Sequence, residues 1–332
     1  MQDKKNFYIN GQWVSPIEPR SFEVINPATE EPCAEISLGG KKDVDAAVTS
    51  AKKAFETWGF TTKEERLNLF EKLYDIYKKN WDQMAKTISL EMGAPIDFST
   101  ELQTKTGASH IKSFKNILKN FKFEKTLDEE KNQTILYEPK GVCALITPWN
   151  WPINQVNLKV IPALASACTV VLKPSEIAPL SSMLLAEMID EAKFPSGVFN
   201  LVNGDGAITG DALTSHPDID MISFTGSTRA GALISQNAAK DFKRISLELG
   251  GKGANIIFKD ADSEAVARGV LRCFRNSGQS CNAPTRMLVE KSIYNETVEK
   301  VKKLANDTKV DSPQKDGDHI GPVVSEVQFN NC

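Results

Sequence analysis

Apolar positions change their period along this chain, and the changes divide it. Across 7–25 (Phe-Tyr-Ile-Asn-Gly-Gln-Trp, then Phe-Glu-Val-Ile), apolar and polar residues alternate between turn formers. That pattern predicts short strands, a hairpin covering a larger body. Asn26-Pro27-Ala28-Thr29 predicts a turn. From Asp43 the period lengthens. Val44, Ala47, Val48, Ala51, Ala54, Phe55 and Trp58 fall on one helical face, with Asp43 as N-cap. A helix over 63–92 follows, through Leu67, Phe70, Leu73, Tyr77, Trp81, Met84 and Ile88, and Gly93 and Pro95 stop it. A third helix fills 98–118. Aromatic residues at these spacings read as core packing, not as a cofactor box.

Residues 119–140 break the pattern. Charges are dense, then Thr134-Ile135-Leu136-Tyr137-Glu138 predicts a strand that Pro139, Lys140 and Gly141 end. This segment reads equally as a solvated surface hairpin or as a ribbon pairing with another subunit. From Gly141, apolar runs at 142–147, 169–173, 198–202, 221–225 and 245–249 alternate with helical segments near 153–167, 180–192, 208–213 and 229–239. Repeated strand-helix-strand with β-branched runs predicts an α/β fold, a parallel sheet with helices on both faces. A second α/β series follows: strands at 254–258 and 285–290, helices at 263–276 and 293–306.

Composition narrows the class. The 332 residues carry 40 Lys+Arg against 43 Asp+Glu, a net charge of −3, so neither nucleic acid nor an anionic membrane is an expected partner. The apolar stretch 160–172 contains Pro162 and falls short of the ~20 residues that span a bilayer. The polar start, Met-Gln-Asp-Lys-Lys-Asn, lacks a signal-peptide core, and a cytoplasmic location is expected. Six cysteines form no CxxC, and three histidines (His110, His216, His319) form no HxxxH, so reduced thiols and no metal site are expected.

In such sheets ligands bind beyond the C-terminal strand ends, so the turns there carry the chemistry. The first strand ends Thr147-Pro148-Trp149-Asn150, and the Asn150 amide reads as a turn or helix cap, or as a donor to a developing oxyanion. The second ends Leu172-Lys173-Pro174-Ser175-Glu176, either a surface ion pair or a Lys/Glu pair for the phosphate and ribose oxygens of a dinucleotide. The third leads into Asn203-Gly204-Asp205-Gly206 and on to Gly210, a GxGxxxG that is weak by itself. The fourth ends Phe224-Thr225-Gly226-Ser227, a Gly-Ser turn opening a helix and suited to a pyrophosphate. Finally, Leu247-Glu248-Leu249-Gly250-Gly251-Lys252 offers one carboxylate and Gly278-Gln279-Ser280-Cys281 one thiol. Alone these two read as a solvated Glu and a buried Cys. A thiolate is also a strong nucleophile, and a carboxylate can activate water against its adduct.

Taken in order, Thr-Pro-Trp-Asn, Leu-Lys-Pro-Ser-Glu, Phe-Thr-Gly-Ser, Leu-Glu-Leu-Gly-Gly-Lys and Gly-Gln-Ser-Cys resemble the NAD(P)-dependent aldehyde dehydrogenase superfamily. The likeness extends to Tyr-Ile-Asn-Gly-Gln-Trp and Asn-Pro-Ala-Thr near the N-terminus. It implies a Rossmann-like NAD-binding domain (1–118 and 141–251), an oligomerisation arm (119–140) and part of a thiol-bearing catalytic domain (252–332). Cys281 would be the nucleophile, Glu248 the general base, and Asn150 with the Cys281 N–H the oxyanion hole. Lys173 and Glu176 would hold the adenosine ribose. Ser227 would lie by the pyrophosphate, where Gly206 and Gly226 allow close approach, and Thr147, Trp149 and Phe224 would complete the cofactor site.

The resemblance further implies NAD as cofactor, a small-molecule aldehyde as substrate, and a homodimer or homotetramer. The implied reaction is oxidation to a carboxylic acid through a thioester on Cys281. The family's Glu-x-Phe-Gly-Pro motif is not in this sequence, which suggests a C-terminally truncated member. Two alternatives differ in kind. One is a catalytically impaired NAD-binding fragment. The other is a thiol acyl-hydrolase with no redox step, against which the ribose-like Lys173/Glu176 turn argues.

Overall fold

The computed structural model describes residues 1–127 and 133–331, so the charged stretch 128–132 and Cys332 lie outside the described residues. Strands β1 (Gln2–Lys4), β2 (Phe7–Ile9), β3 (Gln12–Val14), β4 (Ser21–Asn26) and β5 (Glu31–Ser37) open the chain. Helices α1 (Lys41–Trp58), α2 (Lys63–Lys79), α3 (Trp81–Met92) and α4 (Ile96–Phe98) follow, and a π-helical turn, Ser99–Thr104, leads into α5 (Lys105–Asn120). The ribbon is β6 (Glu124–Leu127) and β7 (Gln133–Leu136), antiparallel. Next come β8 (Val142–Ile146), α6 (Pro152–Ala165), β9 (Thr169–Lys173), α7 (Leu180–Glu191), β10 (Phe199–Leu201), α8 (Asp211–Ser215), β11 (Met221–Gly226), α9 (Thr228–Ala239) and β12 (Arg244–Leu249). The last part is β13 (Ala254–Ile257), α10 (Ser263–Phe274), β14 (Arg286–Val289), α11 (Tyr294–Asp307) and α12 (Glu326–Asn330).

Among the described residues a 7-stranded sheet runs β12-β11-β8-β9-β10-β2-β3. The five strands from β12 to β10 are parallel, and β2 and β3 join antiparallel at the edge. Of the strands expected over 7–25, β2 and β3 are thus a hairpin within the main sheet, whereas β4 lies in a separate 3-stranded sheet, β1-β5-β4. The pleat explains the unbroken apolar runs. Cys143, Leu145, Val170 and Leu172 face one core with α2, α3, α5, α6 and α7. Val142, Ala144, Ile146 and Val171 face a second core with α1 and α9. A strand covered on both faces has no use for polar residues, so the period-2 signal vanishes.

Three local expectations need correction. α1 begins at Lys41 with Gly40 as N-cap, and Asp43 lies inside it. The Asp43 carboxylate accepts from Gly40 N at 2.9 Å and from Ile17 N at 2.7 Å. It satisfies amides before the helix, as an acidic residue in a first turn does. The expected helix over 63–92 is two helices broken at Asn80, whose Nδ2 donates to Ile76 O at 2.9 Å. An Asn side chain taking a main-chain carbonyl competes with helix continuation. The third helix contains the π-helical turn, which nothing in the periodicity indicates.

After residue 250 the sheet is small. β13 and β14 pair in parallel with α10 between them, and α11 packs on α10. Ile256, Phe258 and Leu288 are exposed there. Among the described residues no helix is long and apolar enough to cross a membrane, and no group of three metal-capable side chains could hold an ion.

Candidate active site

The turns expected to carry chemistry do lie at the C-terminal ends of the parallel strands. β8 ends at Ile146, and Thr147 N donates to Lys173 O at 3.2 Å. Thr147 is buried, with its Oγ1 unpartnered among the described residues, and Trp149 packs partly against the larger core. Pro152 starts α6 at a position where its missing N–H costs nothing. The turn between therefore projects Asn150 and Trp151 away from the sheet.

The thiol comes from the other side. α10 ends at Phe274, and Asn276, Ser277 and Gly278 follow with φ of 57°, 56° and 75°. Three left-handed residues in a row reverse the chain, at a cost of about 1–2 kcal/mol for each non-glycine. Cys281 emerges from this turn exposed and free. Asn150 Nδ2 donates to Gln279 O at 3.0 Å, and Trp151 Nε1 donates to Ser280 Oγ at 2.8 Å. The strand-end turn and the thiol turn, distant in sequence, are thus bonded together at residues 279 and 280.

Glu248 lies on β12, the sheet's edge strand, exposed and in register with Thr225. Neighbouring register pairs put Ser223, Ser246, Thr225 and Glu248 on one face of the sheet. Lys159 of α6 reaches that face, its Nζ donating to Ser223 Oγ at 3.0 Å. Burial pushes the Lys159 ammonium down to about 8, and the Glu248 carboxylate opposes that shift. The structure gives Glu248 no direct bond to the thiol turn.

Lys173 is buried. Its Nζ donates to Gly204 O at 2.6 Å and Pro174 O at 3.0 Å, and lies 3.8 Å from Glu176 Oε2. Burial holds this ammonium below its ordinary value, with Glu176 and Asp205 working against burial. Lys173 so ties its own turn to the Gly204-Asp205-Gly206 turn. A Cβ at Gly204 would lie 1.9 Å from Thr209 Oγ1, so that position must be glycine. Gly206 faces open space. Gly226 is different: a Cβ there would meet the Phe224 ring at 2.4 Å, so its own neighbour requires the glycine. Ser227 is exposed and N-caps α9, accepting from Ala230 N at 3.2 Å. Its hydroxyl serves the helix, leaving the amides of the first turn for an anion.

Lys159, Gln103 and Arg20 at the site escaped the motif reading, and Gln279, inside the Gly-Gln-Ser-Cys motif, and Asn276, just before it, were given no role. Lys159 had a signal, the one charged residue in α6. Gln103 and Arg20 are single polar residues with partners far away in sequence, Asn150 and Asn276 for the one and Asp205 for the other.

A parallel sheet with ligand-sized turns at successive strand ends, and a thiol held against one of them, defines an α/β enzyme of the nucleotide-dependent, cysteine-bearing class. The family model for the aldehyde dehydrogenase family matches residues 13–332. The chain belongs to the aldehyde dehydrogenase family.

Its relatives include a 3-succinoylsemialdehyde-pyridine dehydrogenase from a Pseudomonas species, 49% identical over 331 residues. That match covers 99% of this chain and 69% of the relative. The crystal structure of an aldehyde dehydrogenase from Bartonella henselae superposes with a TM-score of 0.98 at 59% identity, over 99% of this chain and 70% of that one. A mutant of aldehyde dehydrogenase C from Pseudomonas syringae, solved with NAD+ and octanal, superposes with a TM-score of 0.96 at 45% identity. That match covers 98% of this chain and 67% of that one.

Proposed function

We propose that the protein oxidises an aldehyde to a carboxylic acid with NAD as cofactor, through a thioester on Cys281. The observation that carries this reading is the pair of hydrogen bonds between turns, Asn150 to Gln279 and Trp151 to Ser280, which sets an amide donor beside the thiol. The Cys281 thiolate attacks the carbonyl carbon, a C–S bond forms, and the oxygen takes the negative charge. Asn150 Nδ2 and the Cys281 N–H hold that oxyanion. Glu248 takes a proton from water, the water oxygen attacks the thioester, and the C–S bond breaks to release the acid and the thiolate. Splitting the reaction at a covalent stage exchanges one hard step for two easier ones.

The residues present fit NAD. The Lys173/Glu176 turn suits an adenosine ribose, the open backbone at Gly206 admits a ligand, and the first turn of α9 suits a pyrophosphate. Thr147, Trp149, Phe224 and Gly226 complete its walls. When bound, NAD accepts the two electrons and the hydrogen leaving the substrate carbon. Residues 1–118 and 141–251 form the cofactor domain, and those from 252 onward bear the thiol. The β6–β7 ribbon serves as the arm of a homodimer or homotetramer, and the location is the cytoplasm, where Cys33, Cys143, Cys168, Cys273 and Cys281, all free, stay reduced. The catalytically impaired fragment is not the favoured alternative.

The test is nicotinamide absorbance with a panel of aldehydes, octanal and a semialdehyde among them, for the wild type and Cys281→Ala. Reduction of NAD that requires Cys281 supports the proposal. Ester hydrolysis without any aldehyde-dependent NAD reduction would replace it with a thiol acyl-hydrolase.

A further inference from the structure

A buried run of side-chain amides links α5's leading turn to the thiol. Gln103 lies in the π-helical turn Ser99–Thr104 and is fully buried. Its Nε2 lies 3.3 Å from Asn276 Oδ1, 3.4 Å from Asn150 O and 3.2 Å from Met92 Sδ. Asn276 is 4% exposed, and its Nδ2 donates to Asn150 O at 2.9 Å and to Gln279 O at 3.1 Å. Gln279 O also accepts from Asn150 Nδ2 at 3.0 Å. The Gln279 side chain closes the set, its Nε2 donating to Asn276 O at 3.2 Å and its Oε1 accepting from Val324 N at 2.9 Å.

The arrangement fixes one thing that matters chemically. An amide NH2 has two hydrogens. Gln279 O takes one from Asn150, so the other is free for a substrate oxygen. Asn150 Oδ1 is turned away, buried and unpartnered among the described residues. Were the amide to flip, that oxygen would face the developing negative charge and oppose it. What prevents the flip is the place of Gln279 O, and Asn276 sets that place by a second bond to the same oxygen. The left-handed backbone at 276–278 is what turns the Asn276 side chain back onto its own loop.

We infer that Asn276, supported by Gln103, is a positioning residue that orients the Asn150 amide for the oxyanion. The inference rests on the reading of Cys281 and Asn150 given above.

The experiment uses the full chain carrying Asn276→Asp or Gln103→Leu, with Cys281→Ala and Asn150→Ala as references. Asp keeps the size and tolerates the left-handed backbone but offers an acceptor to two carbonyls. Leu keeps the volume of Gln103 and removes the donor. Two reactions of Cys281 are compared, both free of cofactor. Hydrolysis of p-nitrophenyl acetate passes through an oxyanion, whereas alkylation by iodoacetamide is a displacement at saturated carbon that forms none.

Losing an oxyanion-hole donor costs roughly 10²–10³-fold. Asn276→Asp should therefore slow acylation by about tenfold to a hundredfold, and Gln103→Leu by less. Alkylation and NAD binding should stay within about twofold in both. Acylation and alkylation falling together would overturn the inference, because the amides would then only be holding the turn. Unchanged acylation in both variants, with Cys281→Ala inactive, would overturn it alone. Ester turnover surviving in Cys281→Ala would overturn the site reading and this inference together. If Asn276→Asp fails to fold, Gln103→Leu decides by the same two rates.

Discussion

Replacing Lys159 with Met should make this protein more stable and less active. Lys159 is only 6% exposed, and among the described residues its Nζ donates one hydrogen bond, to Ser223 Oγ at 3.0 Å. Burial lowers the ammonium from 10.5 to about 8. At 1.36 kcal/mol per pKa unit, that gap corresponds to roughly 3 kcal/mol against keeping the charge in the fold near neutral pH. Below about pH 8 both folded and unfolded chains carry the proton, and the whole cost is felt. Between about pH 8 and pH 10.5 the unfolded chain binds a proton that the folded chain has released. Stability from this group therefore rises with pH across that window.

Met keeps the length of the stem and drops the charge. It also forfeits the Ser223 bond, worth about 1 kcal/mol. Lys159→Met should then gain about 2 kcal/mol at neutral pH and be roughly 0.5–1 kcal/mol less stable at about pH 10.5, where the burial cost has gone and the lost bond remains. Urea unfolding of both proteins at the two pH values measures this, and the difference between them cancels the titration of all other groups. Turnover should fall in the same variant, because the cation that faces Glu248 is gone, and a charge buried at a cost is the usual mark of function. A variant no more stable than the wild type at neutral pH, or a difference that ignores pH, would refute the assignment of the cost to burial.

Glu248→Gln should leave attack by the thiolate intact and slow thioester hydrolysis by ~10²–10⁴-fold, so that mass spectrometry after aldehyde and NAD finds an acyl group on Cys281. NAD should bind more tightly than NADP because the Glu176 carboxylate repels a 2′-phosphate, and Glu176→Ala should narrow the gap in a titration with both cofactors. Arg20→Ala should weaken NAD binding several-fold without changing kcat, read from KM and kcat separately. Arg20 holds Asp205 at 2.6 Å, Asp205 Oδ1 caps Ile208 N at 2.7 Å, and that turn is the one Lys173 grips through Gly204 O.

Much of the fold was legible because its strongest signals are local. Each parallel strand from β8 to β12 was placed within about two residues, since β-branched runs between turn formers have few other uses. The helix break at Asn80 was not visible, because the apolar face of α2 continues in α3 and only a side chain bonding Ile76 O separates them. The motif turns were visible through composition, but their roles were not separable by it. Gly206 and Gly226 look alike in sequence, yet one faces open space and the other makes room for Phe224. Gln103 could not be found at all. Its partners Asn150 and Asn276 belong to other elements, and a buried Gln is indistinguishable from a solvated one until the fold supplies its neighbours.

The two sides of the site are held by different forces. In β8 and β9 every residue is buried, and apolar contact on both faces fixes them. After residue 250 the buried apolar residues among those described are Ile257, Val270, Ala283 and Val324. So little apolar area gives no preference for one angle over another, since the hydrophobic effect is non-directional. The thiol turn is instead set by directional bonds to the first body. Ile96 N donates to Pro313 O at 2.8 Å and Gly317 N donates to Asp97 Oδ2 at 2.8 Å, which fastens the segment 313–317 to α4, and Ser277 Oγ donates to Gly321 O at 2.8 Å, which links the thiol turn to that fastened segment. The Asn150, Trp151 and Asn276 bonds tie the thiol turn directly to the strand-end turn. Hydrogen bonds weaken steeply with distance and angle, so such a joint specifies geometry where apolar packing specifies only proximity. Catalysis needs the former, because a misplacement of about 1 Å between reacting groups can cost ~10²-fold. The nucleophile can therefore sit on a thinly packed segment and still keep register with its oxyanion donor, provided both hang from the same buried amides.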